Sequence, residues 1–94
     1  MQQFAAYLLG TVELTGERWR HIVTFHPEIR TRRADLARAL RAPDTVRKSA
    51  YDPSVLIFYR RMRGGKYLAV AVKNDRRKFI LTAYVTKRIQ HLPL

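Results

Sequence analysis

The sequence predicts an α+β fold in which helices come first and an antiparallel β-meander follows. Three observations predict it. The first half carries apolar residues at helical spacing, each stretch closed by a proline. The second half carries runs rich in β-branched and aromatic residues. Those runs are parted by the turn signals Gly64-Gly65 and Asn74-Asp75. At 94 residues the chain is expected to form one domain, residues 1–94, because a single hydrophobic core serves about 100–150 residues.

Each element has a local reason. Val12-Glu13-Leu14 reads as a short strand or extended lead-in. Thr15 is a helix N-cap, with Glu17 in the first turn favouring the helix dipole. Leu14 and Trp19 stand at the two positions of a hydrophobic staple. The helix spans Gly16–Phe25, with Trp19, Ile22 and Val23 on one face, and Pro27 stops it. A second helix, about Arg32–Arg41, shows Leu36, Ala37 and Leu40 on one side, and Ala42-Pro43-Asp44 breaks it. Thr45–Ser49 is a short strand candidate, and Val55–Arg63, Tyr67–Lys73 and Lys78–Thr86 are the main strands.

Charge narrows the function. There are 19 Lys and Arg against 7 Asp and Glu, a net charge of +12. Self-repulsion on this scale disfavours the compact state, and a polyanion relieves it. Nucleic acid is the commonest such partner, followed by an anionic membrane surface or an acidic protein. The chain has no cysteine, which excludes disulfides, thiolate metal sites and cysteine nucleophiles. No apolar run is long enough to span a membrane. The first residues lack the basic region of a secretory signal, so a soluble cytoplasmic protein is expected.

Strand register decides which side chains meet. If Gly64-Gly65 is a two-residue loop, Arg63 pairs with Lys66; if Asn74–Arg77 is a four-residue loop, Lys73 pairs with Lys78. One face then collects Ile57, Tyr59, Leu68, Val70, Val72, Phe79, Leu81, Ala83 and Val85, the core face for the helices. The other collects Phe58, Arg60, Met62, Tyr67, Ala69, Ala71, Lys73, Ile80, Thr82, Tyr84 and Thr86. In this register Arg60, Ala69 and Thr82 share a row, and Met62, Tyr67 and Tyr84 the next. A guanidinium, a hydroxyl and two phenols around small alanines suit a phosphate with a stacked base. The same residues also suit an ordinary half-buried sheet, because Tyr and Thr fit a pleated surface.

Three histidines carry the remaining chemistry. His21 and His26 lie five apart, roughly 140° around a helix, whereas metal pairs on a helix sit at i and i+4. No metal site and no cofactor is therefore expected. Either histidine is a general acid or base by residue type. Glu28, in His26-Pro27-Glu28, is the carboxylate nearest a histidine in sequence, and His91 belongs to no cluster.

Leu14-Thr15 leading to Trp19, then His21-Ile22 and His26-Pro27-Glu28, forms an ordered set. Pro43-Asp44, Tyr59-Arg60, Val70–Lys73 and Thr82-Ala83-Tyr84 follow it. The set, over about residues 12–87, resembles the phage-type branch of the barnase–EndoU–colicin–RelE superfamily of ribonucleases. The resemblance implies helices packed on a curved antiparallel sheet. It also implies metal-independent cleavage of RNA by attack of the ribose 2′-OH on the adjacent phosphate, and often an antitoxin or immunity protein as partner. The positions carried over are His21, His26, Glu28, Arg60, Thr82 and Tyr84. Phe25 departs from the pattern, which has a basic residue before His-Pro-Glu.

The expected function is thus a toxin-like endoribonuclease. His21 or His26 moves the proton, Arg60 faces the phosphate charge, and Thr82 and Tyr84 donate to its oxygens. Arg61, Arg63, Lys66, Tyr67 and Lys73 hold the nucleic acid. Two alternatives stand beside it: a nucleic-acid-binding module without chemistry, and a basic subunit bound to an acidic antitoxin-type protein.

Overall fold

A computed structural model describes residues 1–90; His91 lies outside them. The chain begins with a hairpin of β1 (Gln2–Ala6) and β2 (Gly10–Leu14), paired from Gln2 opposite Leu14 to Ala6 opposite Gly10. Phe4, Ala6, Val12 and Leu14 alternate inward and are buried. Leu8 (φ 71°) and Gly10 (φ 79°) supply the left-handed backbone of the turn.

Helix α1 (Gly16–Phe25) starts where its cap predicts, the Thr15 hydroxyl accepting from the Arg18 N–H at 3.1 Å. Ile22 is fully buried beneath it, with Trp19 packed beside the core and Arg33 stacked on the indole at 4.7 Å. The helix ends at His26, whose backbone (φ −133°, ψ 72°) leaves the helical path, and Pro27–Ile29 adds one 3₁₀ turn. Helix α2 (Arg33–Arg41) buries Leu36, Ala39 and Leu40. Ala39 stands where Ala37 was expected, and Ala37 is half-buried at the rim of the core.

Strands β3 (Thr45–Lys48), β4 (Val55–Arg61), β5 (Tyr67–Lys73) and β6 (Phe79–Thr86) form the predicted antiparallel meander. With the N-terminal hairpin they make a curled six-stranded sheet in the order β1-β2-β6-β5-β4-β3. The sheet is mixed, because β2 joins β6 in parallel through a single rung, Glu13 opposite Phe79. Glu13 reinforces it with an N–H bond to the Lys78 carbonyl (2.9 Å) and an ion pair to Arg77 (2.7 Å).

Loop lengths correct the expected register. The β4–β5 connection has three residues, Arg63–Gly65, closed by the Met62 N–H on the Lys66 carbonyl (2.7 Å), with Gly64 (φ 77°) and Gly65 (φ 70°) left-handed. Arg61 therefore pairs with Tyr67, one residue away from the expected register, and β4 is turned over. Leu56 and Phe58 face the helices, with Met62 packed against the same core; Ile57 and Tyr59 face the other way. The β5–β6 loop is also one residue longer, pairing Lys73 with Phe79, so Ile80 joins the helix-side core. A bulge at Leu81 adds a second residue and restores the parity beyond it. Thr82, Tyr84 and Thr86 thus remain on the expected face, while Leu81 moves there from the core.

The helix-side core holds Phe58, Leu68, Val70, Val72, Ile80 and Ala83 under α1 and α2. Each large aliphatic or aromatic side chain buried there contributes about 1.5–3 kcal/mol. The other face carries a second apolar cluster of Val55, Ile57, Tyr59, Ala69 and Ala71, bordered by Tyr67, Tyr84 and Ile89. Among the described residues, no helix is long and apolar enough to cross a membrane.

Candidate active site on the open face of the sheet

The open face is organised by rows that cross the strands. Thr45, Tyr59, Ala69 and Tyr84 are successive neighbours in one row; Arg47, Ile57, Ala71 and Thr82 form the next. Arg61, Tyr67 and Thr86 form a third, at the end of the sheet. Ala69 and Ala71 are buried in the apolar cluster of this face, and a depression lies beside it between the tyrosines and the segment that follows β6. Arg47, Tyr59, Tyr67 and Tyr84 line that depression.

Tyr59 is fully buried and meets the Tyr67 ring edge-on at 6.4 Å between centroids. Its hydroxyl accepts from the Gln90 N–H (3.2 Å). Segment 87–90 crosses the open face beyond β6. Ile89 packs on the apolar cluster, and the Gln90 side chain accepts from the Ala50 N–H at 2.9 Å. Tyr84 is half-buried. Burial, with the neighbouring Tyr59 phenol adding to it, pushes its hydroxyl up to about 12 from an ordinary 10. At neutral pH Tyr84 is therefore a proton-bearing donor and not a base.

Arg47 is the residue that sequence reasoning missed. Its Nε is buried and has no hydrogen-bond partner among the described residues. No carboxylate lines the depression it borders. No carboxylate pairs with this guanidinium among the described residues, so its terminal N–H groups suit an anion. The signal was available in the alternation around Val46: once Val46 faces the core, Thr45 and Arg47 must face the opposite side.

His26 does not itself line the depression but lies next to it, against Tyr84. Because α1 stops at Phe25, His26 is not carried under the sheet with Ile22. It sits beside the edge of β6 with its ring 5.8 Å from that of Tyr84. Its Nδ1 lies 3.8 Å from Glu28 Oε2. The same carboxylate oxygen faces the Val85 N–H at 3.5 Å, where β6 has no strand neighbour on that side. Glu28 thereby anchors the 3₁₀ turn to β6 and holds the imidazole against the tyrosine face.

The remaining expected residues divide. Thr82 lies on the open face in the row of Arg47. His21 is exposed on α1, its ring against Phe25 at 4.7 Å, and it lines neither the depression nor its rim. Arg60 is turned to the helix side by the register of β4, opposite Leu68, and its Nη1 donates to the Ala42 carbonyl at the end of α2 (2.6 Å). It is a structural clamp there, and the expected row of Arg60, Ala69 and Thr82 is not formed. Lys73 is engaged by Asp52 at 2.7 Å. Arg61, Arg63 and Lys66 are exposed around the β4–β5 hairpin, with no ion pair among the described residues.

No protein-family model matches the chain, and no curated protein or solved structure is significantly similar to it. Function is therefore argued from the site. Among the described residues, no group of three or more His, Asp or Glu side chains is placed to hold a metal ion. The depression is lined by three phenols, the guanidinium groups of Arg47 and Arg88 and the Lys87 ammonium, with the His26 imidazole and Glu28 carboxylate beside Tyr84.

Proposed function

We propose that this protein is an endoribonuclease of the barnase–EndoU–colicin–RelE type, working on the open face of its sheet without a metal ion. The observation that carries the reading is the contact of His26 with Tyr84 beside the depression lined by Tyr59, Tyr67 and Arg47. An imidazole is the side chain best suited to move a proton near neutrality. Glu28 beside Nδ1 favours a proton there and leaves Nε2 to accept one.

In this reading Nε2 of His26 takes the proton of a ribose 2′-OH as its oxygen bonds to the adjacent phosphorus. The bond from phosphorus to the 5′ oxygen breaks, giving a 2′,3′-cyclic phosphate and a 5′-OH end. The leaving oxygen takes its proton from solvent. Arg47 and Tyr84 stabilise the charge that gathers on the non-bridging oxygens. Arg47 fills the part that the sequence assigned to Arg60. The net charge of +12 draws RNA to the protein, and the same basic surface would accept an acidic antitoxin-type protein.

The test is incubation with single-stranded RNA in EDTA, with the product ends identified by mass spectrometry. Cleavage to cyclic phosphate ends is expected, and His26→Ala should lower it by about 10²–10⁴-fold, the usual worth of a positioned acid or base. RNA that stays intact while binding in a salt-sensitive way would replace this reading with a binding module. Cleavage undiminished by His26→Ala in a folded protein would remove the imidazole from the mechanism.

A further inference from the structure

A second concave surface lies at the end of the sheet next to the β4–β5 hairpin. Arg61, Arg63 and Lys66 border it from the hairpin, and Lys87 from the segment after β6. Its cavity volume is about 720 Å³, within the range of surfaces that take nucleotide-sized ligands. These four cations make no ion pair among the described residues. The carboxylates that also border the surface are engaged, Glu28 with His26 and the Val85 N–H, Asp35 with Arg32 and Arg38. Thr86 and Lys87 line both this groove and the tyrosine depression. The two surfaces are therefore continuous around the end of β6.

We infer that this groove is a non-catalytic subsite that holds the sugar-phosphate backbone of single-stranded RNA running on from the cleaved phosphate. The inference rests on the proposed endoribonuclease reading and extends it to the shape of the substrate. The path from the open face to the groove turns around the edge of one strand, within the span of a few nucleotides. Duplex DNA, with a persistence length of about 150 bp, resists such a turn, and a flexible single strand follows it. The contacts available in the groove are cations and not base-reading amides, so it grips the backbone with little sequence preference.

The experiment compares two triple variants of equal net charge. In one, Arg61, Arg63 and Lys66 become Gln; in the other, Arg20, Arg41 and Arg76 become Gln, all exposed and lining neither surface. Binding is read by fluorescence anisotropy on a labelled 20-nucleotide 2′-O-methyl RNA, which lacks the attacking hydroxyl and cannot be cut. Each lost single-strand phosphate contact reduces the salt slope by about 0.7. The groove variant should thus show a slope shallower by about 2, and the control a slope near that of the wild type. KM for a 20-nucleotide RNA at about 0.1 M salt should rise at least about tenfold in the groove variant and much less in the control, since a slope shallower by about 2 is worth up to about two decades of affinity between 1 M and 0.1 M salt. Equal slopes in the two variants would overturn the inference, since net charge alone would then explain binding. Binding that depends on the groove without cleavage of any RNA would support the subsite and refute the proposed catalysis.

Discussion

Replacing Arg47 by Met should make the free protein more stable while weakening its hold on an anion at the open face. Arg47 stands in β3 opposite Ile57, its Nε is buried without a partner, and no carboxylate lines the depression beside it. A buried donor left unsatisfied costs about 1–3 kcal/mol. Met retains most of the apolar stem that Arg lays against its surroundings and leaves the strand pairing of β3 intact. Taking the lower end of that range, a gain of about 1 kcal/mol raises Tm by about 4–8 °C in a domain of this size. Loss of one positive charge from a chain at +12 acts in the same direction. Differential scanning calorimetry of both proteins, with and without an uncleavable oligonucleotide, measures both effects. The oligonucleotide should raise Tm of the wild type by more than that of the variant, whose groove cations still bind it, and the variant should lose RNA cleavage. A lower Tm for Arg47→Met would refute the reasoning, because it would show the guanidinium to be satisfied in the free protein.

Other perturbations test other parts of the structure. Tyr84 should ionise near 12, two units above an ordinary tyrosine, visible as a late step in phenolate absorbance that Tyr84→Phe removes. Because its folded value is raised, the associated stability is intact below pH 10 and is lost as pH rises through 12. Asp52 has the opposite sign: hydrogen bonds from Lys73 and Ser54 lower its carboxyl from 3.8 to about 2. Its contribution is present above about pH 4 and fades as pH falls through 2, so Asp52→Asn should flatten that part of an acid-unfolding curve. Phe58→Ala should cost about 3–5 kcal/mol in urea unfolding, since the ring is fully buried under the helices. Had β4 kept the register expected from a two-residue loop, the same change would fall on the open face.

The sequence made the helices legible because their ends carry chemistry of their own: Thr15 caps α1 and Pro27 stops it. The meander was legible from its turns. Register was not, because it depends on the parity of loop lengths, and Gly64-Gly65 serves a two-residue or a three-residue hairpin equally well. One residue at that loop exchanged Arg60 for Tyr59 on the open face, whereas a longer loop and the Leu81 bulge cancelled for Thr82 and Tyr84. The N-terminal hairpin was hidden because its turn places Leu8 in a left-handed conformation where glycine or asparagine would normally announce it. Arg47 went unnoticed because a four-residue strand gives too short an alternation to read alone. His26 stands clear of the apolar stripe of α1 because the chain leaves the helix at that residue.

The single rung between β2 and β6 sets an order on folding. Strands β3 to β6 pair with their chain neighbours through short loops, whereas Glu13 must find Phe79 across most of the chain. The meander is therefore expected to assemble first and the N-terminal hairpin to dock afterwards. Native-state hydrogen exchange should find β1 and β2 opening at lower free energy than β4 and β5. The tyrosines and Arg47 all belong to the early half. His26 hangs from the helix that follows the late hairpin, so the imidazole is expected to be the last part of the candidate site to arrive, and under the proposed function a chain caught before that step would not cleave RNA.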